Sequence, residues 1–315
     1  MMGLQILVTG GAGFVGSNLC ATLSAQGHEV VAVDDLSNSR GISNSNSLKF
    51  LKSDIAENTW MKDLEGHHID AVFHLAAQSS NATSFKNPKD DLKRNQLATQ
   101  NVIEFCRQRG IRRLIFTSSM SVYGEPTQFP TPITERTRPA TYYAIHKDAS
   151  EKYVGLQDEL NWTIFRLYTT YGFGQNLENL EQGLIKIFLG FILRKEKITV
   201  HGSLDRVRDI VHVDDVVNAL MLSLENSNSF GKTYNLGTGQ TVTVRQILEE
   251  LIRLTGNDSS YPMEVHEGDK GDPFKTHADI SQTINDLGWH PKVTSLEGLK
   301  RTVEGYLEKN RLDEW

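Results

Sequence analysis

The chain has 315 residues, with 33 Lys+Arg against 39 Asp+Glu, 25 glycines, two cysteines and 38% hydrophobic residues. That length predicts two domains, or one large α/β unit with an elaboration, and a formal charge of -6 excludes a protein built to neutralise nucleic-acid phosphates. Cys20 and Cys106 form neither a disulfide framework nor a metal cluster, no apolar run approaches the ~18–20 residues of a membrane span, and the opening MMGLQILVTGG lacks a basic leader. The expectation is a soluble, mildly acidic, cytoplasmic protein without metal, membrane or nucleic-acid partners.

In chain order, Leu4–Thr9 reads as a buried strand that breaks at Gly10-Gly11, followed by a helix from Phe14 to Gln26 that stops at Gly27. Glu29–Val33 is a strand ending at Asp34-Asp35, and Ser37–Ser47 is a polar loop of turn formers. Ala71–Ala76 and Leu114–Thr117 are further strands, separated by a helix around Asp91–Arg109. Glu125–Thr141, with four of the eight prolines, leads into a helix near Tyr143. Beyond it come an amphipathic stretch at Gln182–Leu193, a strand at Ile198–His201, helices at Val213–Leu224 and Val244–Thr255, and a strand at Thr233–Leu236. Strands spaced by helices predict βαβ units in a doubly wound parallel sheet, with ligands at the carboxyl ends of its strands.

Gly10, Gly13 and Gly16 stand where a strand hands over to a helix, in the spacing Gly-x-x-Gly-x-x-Gly. Such glycines permit a tight turn, let backbone amides approach a pyrophosphate and allow close helix–strand packing, while the helix N-terminus offers its positive end. Asp34 ends the second strand about 20 residues on, where a carboxylate accepts the adenosine ribose hydroxyls and repels a 2′-phosphate, favouring NAD over NADP. Asp54 ends another strand and can contact the adenine.

Tyr143 and Lys147 are four apart, on one face of a helix. A neighbouring ammonium favours phenolate and is expected to lower the tyrosine pKa from about 10 toward working pH, making a general base. Thr117-Ser118-Ser119 closes a buried strand, so at least one hydroxyl reaches the same edge; strand-end capping is the alternative for any one of them.

These elements, with His74-Leu75-Ala76-Ala77, the run Phe116–Gly124, Arg208–Asp215, Tyr234–Gly237 and Ala278-Asp279-Ile280, occur in an order that resembles the extended short-chain dehydrogenase/reductase family, and within it the nucleotide-sugar epimerases of the UDP-glucose 4-epimerase type. The resemblance implies a Rossmann-type NAD-binding domain over residues 1–165 and a smaller C-terminal α/β substrate domain over 166–315, with about 208–236 returning to the first. It implies that NAD is held by Gly10, Gly13, Phe14, Val15, Gly16, Asp34, Asp54, Ile55, Leu75, Ala76, Ala77 and Asn95. Tyr143 would act as base, Ser119 would bond the sugar O4, and Lys147 would hold the nicotinamide ribose and tune the tyrosine. Substrate contacts fall to Ser119, Thr169, Lys270 and Arg208, the last on the diphosphate, for which an ion pair with Asp209 or Asp214 is the alternative. A homodimer through helices around Asp91–Arg109 and Ala144–Leu160 is also implied.

The implied reaction is epimerisation at C4 through a transient 4-keto sugar. Related 4,6-dehydratases carry acids at the serine strand end, decarboxylases a glutamate beside the hydroxyl, and epimerase-reductases a Cys/His pair; this chain has Ser119-Met120-Ser121. The alternatives within the fold are a 4-keto-sugar reductase or a 2-epimerase. An NAD-sensing regulator without catalysis is a third, against which Tyr143 and Lys147 speak. The pattern is departed from at Thr169, where related enzymes carry an asparagine, and at Asp269, which replaces a diphosphate-clamping arginine with Lys270 adjacent. Nucleotide and sugar therefore stay open at this point.

Overall fold

Alternation along the first strand, β1 (Gln5–Thr9), lays out the core. Ile6 and Val8 enter one apolar cluster and Leu7 another; in β2 (Glu29–Asp34), Val30 and Ala32 part from Val31 and Val33 in the same way. A strand buried on both faces belongs in a parallel sheet with helices on each side. The computed structural model describes residues 3–39, 41–57 and 59–311. In it, β1 and β2 join β3 (Leu48–Lys52), β4 (Ala71–His74), β5 (Arg113–Ser119), β6 (Asn161–Leu167) and β7 (Lys232–Leu236) in an all-parallel sheet ordered β3-β2-β1-β4-β5-β6-β7. The order reverses between β1 and β4, the position at which doubly wound sheets open a crevice.

Helices Phe14–Ala25 and Val213–Ser223 cover one face through Leu19, Leu23, Val216 and Leu220. Helix Ala98–Arg109 covers the other with Val102, Phe105 and Cys106. A third apolar cluster lies outside the sheet, where helix Leu184–Leu193 meets helix Val244–Leu254 and the Leu299, Val303 and Tyr306 face of helix Ser295–Arg311. Three two-stranded pairs accompany it: Thr169–Tyr171 with Ile210–His212, Val207–Arg208 with Val242–Thr243, and Ile198–His201 with Met263–His266.

Two expectations change. The single helix around Asp91–Arg109 is interrupted: Pro88–Leu92 is α-helical, Lys93–Leu97 is a π turn, and a regular helix resumes at Ala98. The wide turn brings in Asn95, whose Nδ2 donates to the Asp91 carboxylate and to the Gln78 carbonyl. The strand expected over Ala71–Ala76 stops at His74, because Leu75 and Ala76 swing out over the glycine turn.

One buried carboxylate staples the second half. Asp209 is fully buried and accepts from the Thr238 amide at 2.7 Å and hydroxyl at 2.8 Å, and from the amides of Gly239 and Ala278 at 3.0 Å each. Asp209→Asn would turn an NH2 toward backbone donors that need an acceptor. Urea titration of this variant is expected to show a loss of about 3 kcal/mol or more of unfolding free energy.

Candidate active site

The glycine turn is built by contact. Gly10 has φ +70°, and a Cβ there would stand 2.6 Å from the Ala76 amide nitrogen; one on Gly16 would stand 2.0 Å from the Gly10 carbonyl oxygen. Helix Phe14–Ala25 therefore begins directly on the turn, and no side chain caps it. Gly13, Phe14, Val15 and Gly16 face a cleft of about 470 Å³, which leaves that helix end open to an anion.

Asp34, at the end of β2, lines the same cleft; its Oδ2 accepts from the Ala12 amide at 3.2 Å and its Oδ1 from the Leu36 amide at 2.8 Å. Asp54 and Ile55 after β3, and Leu75, Ala76 and Ala77 after β4, complete this wall. A glycine turn that admits no side chain, an open helix end and a carboxylate at the β2 tip fit a dinucleotide's pyrophosphate and adenosine ribose. Ser118 Oγ is a further buried group on the cleft with no hydrogen-bond partner among the described residues.

Ser119 ends β5, and Tyr143 and Lys147 rise from helix Tyr142–Gly155 beside it; all three line the cleft. The spacing argument thus brings the groups together, but the electrostatics differ from expectation. Burial pushes the Tyr143 phenol up to about 12, against a hydrogen bond with Ser119 that lowers it; the Asp91 carboxylate adds to the rise. Lys147 stands on the same cleft: its Nζ lies 4.2 Å from the centroid of the Phe116 ring, and burial pushes its own pKa down to about 7 against the pull of Glu151 and Asp91.

On the opposite side stand Thr169, Arg208 and a set of groups without a sequence signal: Gln175, Gln182, Gly183, Leu184 and Asp272. Arg208 pairs with neither Asp209 nor Asp214. Its Nη2 donates to both Asp272 oxygens, at 2.8 and 2.9 Å, and Arg206 binds the same carboxylate. Two expected residues do not line the cleft. Asn95 is buried behind it, with its Oδ1 unpartnered among the described residues. Lys270 turns away to the Phe85 ring, 5.2 Å from its centroid, and the exposed Asp269 before it faces His201 at 3.8 Å.

With this geometry the chain matches known proteins along its length. The sequence profile of the NAD dependent epimerase/dehydratase family covers residues 6–237. A UDP-glucose 4-epimerase of Mycolicibacterium smegmatis is 33% identical over 317 residues, spanning 98% of this chain and 100% of that protein. A dTDP-D-glucose 4,6-dehydratase of Homo sapiens is 30% identical over 325 residues, spanning 96% of this chain and 90% of that one. The crystal structure of UDP-glucose 4-epimerase with UDP-glucose from Thermotoga maritima superposes with a TM-score of 0.92 at 36% identity, over 98% of this chain and 100% of that chain.

The buried lysine has a measurable consequence. Its folded pKa of about 7 lies below its ordinary 10.5, so between those values the unfolded chain binds more protons and stability rises with pH. Lys147→Met is expected to remove that contribution, flattening the slope of unfolding free energy of cofactor-stripped protein by up to about 1.4 kcal/mol per pH unit. Urea titrations from pH 7 to 9.5 read the difference; parallel slopes for wild type and variant would refute it.

Proposed function

The chain belongs to the NAD dependent epimerase/dehydratase family, and within it we propose a nucleotide-sugar 4-epimerase of the UDP-glucose 4-epimerase type, acting through a transient 4-keto sugar. One observation carries the choice of reaction. The hydroxyls of Ser119 and Tyr143 both line the cleft at the sheet edge, and the residues that follow on the cleft wall are Met120 and Ser121, which offer no carboxylate to drive elimination of water. Asp34, Asp35 and Asp54 stand at strand ends on the dinucleotide side, and Asp272 is held by two arginines.

NAD is the cofactor; when bound, it supplies reversible two-electron oxidation at the sugar C4. Gly10, Gly13, Phe14, Val15 and Gly16 would hold its pyrophosphate and Asp34 its adenosine ribose, with Leu75–Ala77 beneath and Lys147 at the second ribose. Tyr143 takes the O4 proton as C4 is oxidised and returns it once the keto sugar has turned in the cleft. Ser119 hydrogen-bonds O4 and, through its contact with the phenol, favours the deprotonated base. Thr169 and Arg208 face the substrate.

We further infer a homodimer. Leu92 and Leu97 are exposed, as are Tyr142, Ile145, Tyr153 and Leu156, spaced along the outer side of helix Tyr142–Gly155 and its end, and the two helical segments pack together. An apolar patch of this kind suits a second copy of the chain. Cys20 and Cys106 are buried and unpaired, which supports a reducing cytoplasmic setting. Among the described residues, no helix is long and apolar enough to cross a membrane.

Tyr143→Phe is expected to cut turnover of UDP-glucose or another nucleotide sugar, followed by NMR, about 10²–10⁴-fold while NAD is still retained. Intact turnover in that variant would refute the mechanism, and NADH accumulating with turnover would make the enzyme a reductase instead. Light scattering should give twice the mass of the chain, falling to one chain's mass in the Leu97→Asp, Ile145→Asp double variant.

A further inference from the structure

Helix Leu184–Leu193 reads LIKIFLGFIL, and its one charged residue, Lys186, is only 3% exposed. Its Nζ donates to the Asn176 carbonyl at 3.0 Å, and among the described residues no carboxylate pairs with it. Burying an ammonium with a single backbone acceptor is costly, and burial pushes this one down to about 8. Apolar packing alone would favour methionine or leucine here.

The lysine stands directly behind the cleft wall. Its stem runs beside Gly183, where an added Cβ would lie 3.1 Å from both Cγ and Cε and 3.3 Å from the Gln175 amide nitrogen; Gly183 and Gln175 both line the cleft. The charge count points the same way. A diphosphate diester carries two negative charges. At the substrate end, Arg206 and Arg208 share Asp272 and the exposed Glu125 also acts on Arg208, leaving at most one positive charge in surplus, while Asp269 and Lys270 lie off the cleft. One cation is wanting, and Lys186 is the buried cation beside that wall, on a stem flexible enough to exchange a carbonyl for a phosphate oxygen.

We propose that Lys186 binds the substrate's diphosphate, supplying the second positive charge beside Arg208; this rests on the nucleotide-sugar reading above and deepens it. The test compares the NAD-loaded full chain with Lys186→Met, using calorimetric titration with UDP, dTDP, GDP and CDP and with the matching nucleosides. The variant is expected to melt higher than wild type without ligand, since a buried charge is gone. Its affinity for the diphosphate that wild type binds most tightly should fall about 10- to 100-fold, the worth of a charge-assisted contact, while nucleoside affinity holds. Unchanged diphosphate affinity, a lower melting temperature with parallel loss of nucleoside, or a wild type that binds none of the four overturns the proposal. Diphosphate binding that depends on Lys186 without sugar epimerisation would instead sink the 4-epimerase reading alone.

Discussion

The cleft depends on an imidazole that must stay neutral. His74, fully buried at the tip of β4, bonds Thr9 Oγ1 through Nδ1 at 2.8 Å and Thr99 Oγ1 through Nε2 at 3.0 Å. Thr99 gives its own hydroxyl proton to the Asn95 carbonyl at 2.6 Å, so Nε2 is the donor and Nδ1 must accept from Thr9. A proton on Nδ1 would break that chain. Burial, with the Lys147 charge, holds the His74 pKa down to about 3 and keeps the ring neutral. One side chain thereby ties the end of β1 and the end of β4 to helix Ala98–Arg109 and, through Thr99, to Asn95 of the π turn. Because Gly10 approaches Ala76 within a distance that admits no side chain, the glycine turn takes its position from the same ties.

What was legible in the sequence is what local geometry dictates. Gly10, Gly13 and Gly16 announce a backbone constraint, and Asp34 follows at a distance fixed by one βαβ turn, so both sit on the cleft where spacing puts them. The Tyr143–Lys147 spacing puts both groups on the cleft, whereas burial among residues far apart in sequence, which no spacing reveals, pushes the phenol's pKa up. Arg208 illustrates the same limit: its partner, Asp272, lies 64 residues on, out of reach of any motif. Lys270 was expected on the cleft because of its neighbour, but the Phe85 ring, 185 residues earlier in the chain, takes it.

The substrate wall was the least legible part for a related reason. Gln175, Gln182, Gly183 and Leu184 approach the cleft through a loop and the start of a helix whose packing is decided by the third apolar cluster. Nothing periodic marks such residues. Gln182–Leu193 reads in the sequence only as an amphipathic stretch; it takes the burial of Lys186 in an otherwise apolar decamer to mark that residue as a local inconsistency of the kind that collects at functional sites.

The two ends of the cleft are also opposite in charge, which bears on how ligands are oriented. Asp34 and Asp35 stand at the tip of β2, and Arg94, which could otherwise meet a phosphate there, is held by Asp35 at 2.5 Å and by Asp90 at 2.8 Å. A ribose with free hydroxyls suits that end and a 2′-phosphate does not, in keeping with NAD as cofactor. The rest of the lining carries Arg208, which with the buried Arg206 holds Asp272, and the buried Lys186 stands beside Gly183 of the same cleft. In a chain whose overall balance is acidic, that local surplus would, on the reading proposed above, draw the phosphates of a nucleotide sugar away from Asp34 and leave its sugar toward Ser119 and Tyr143.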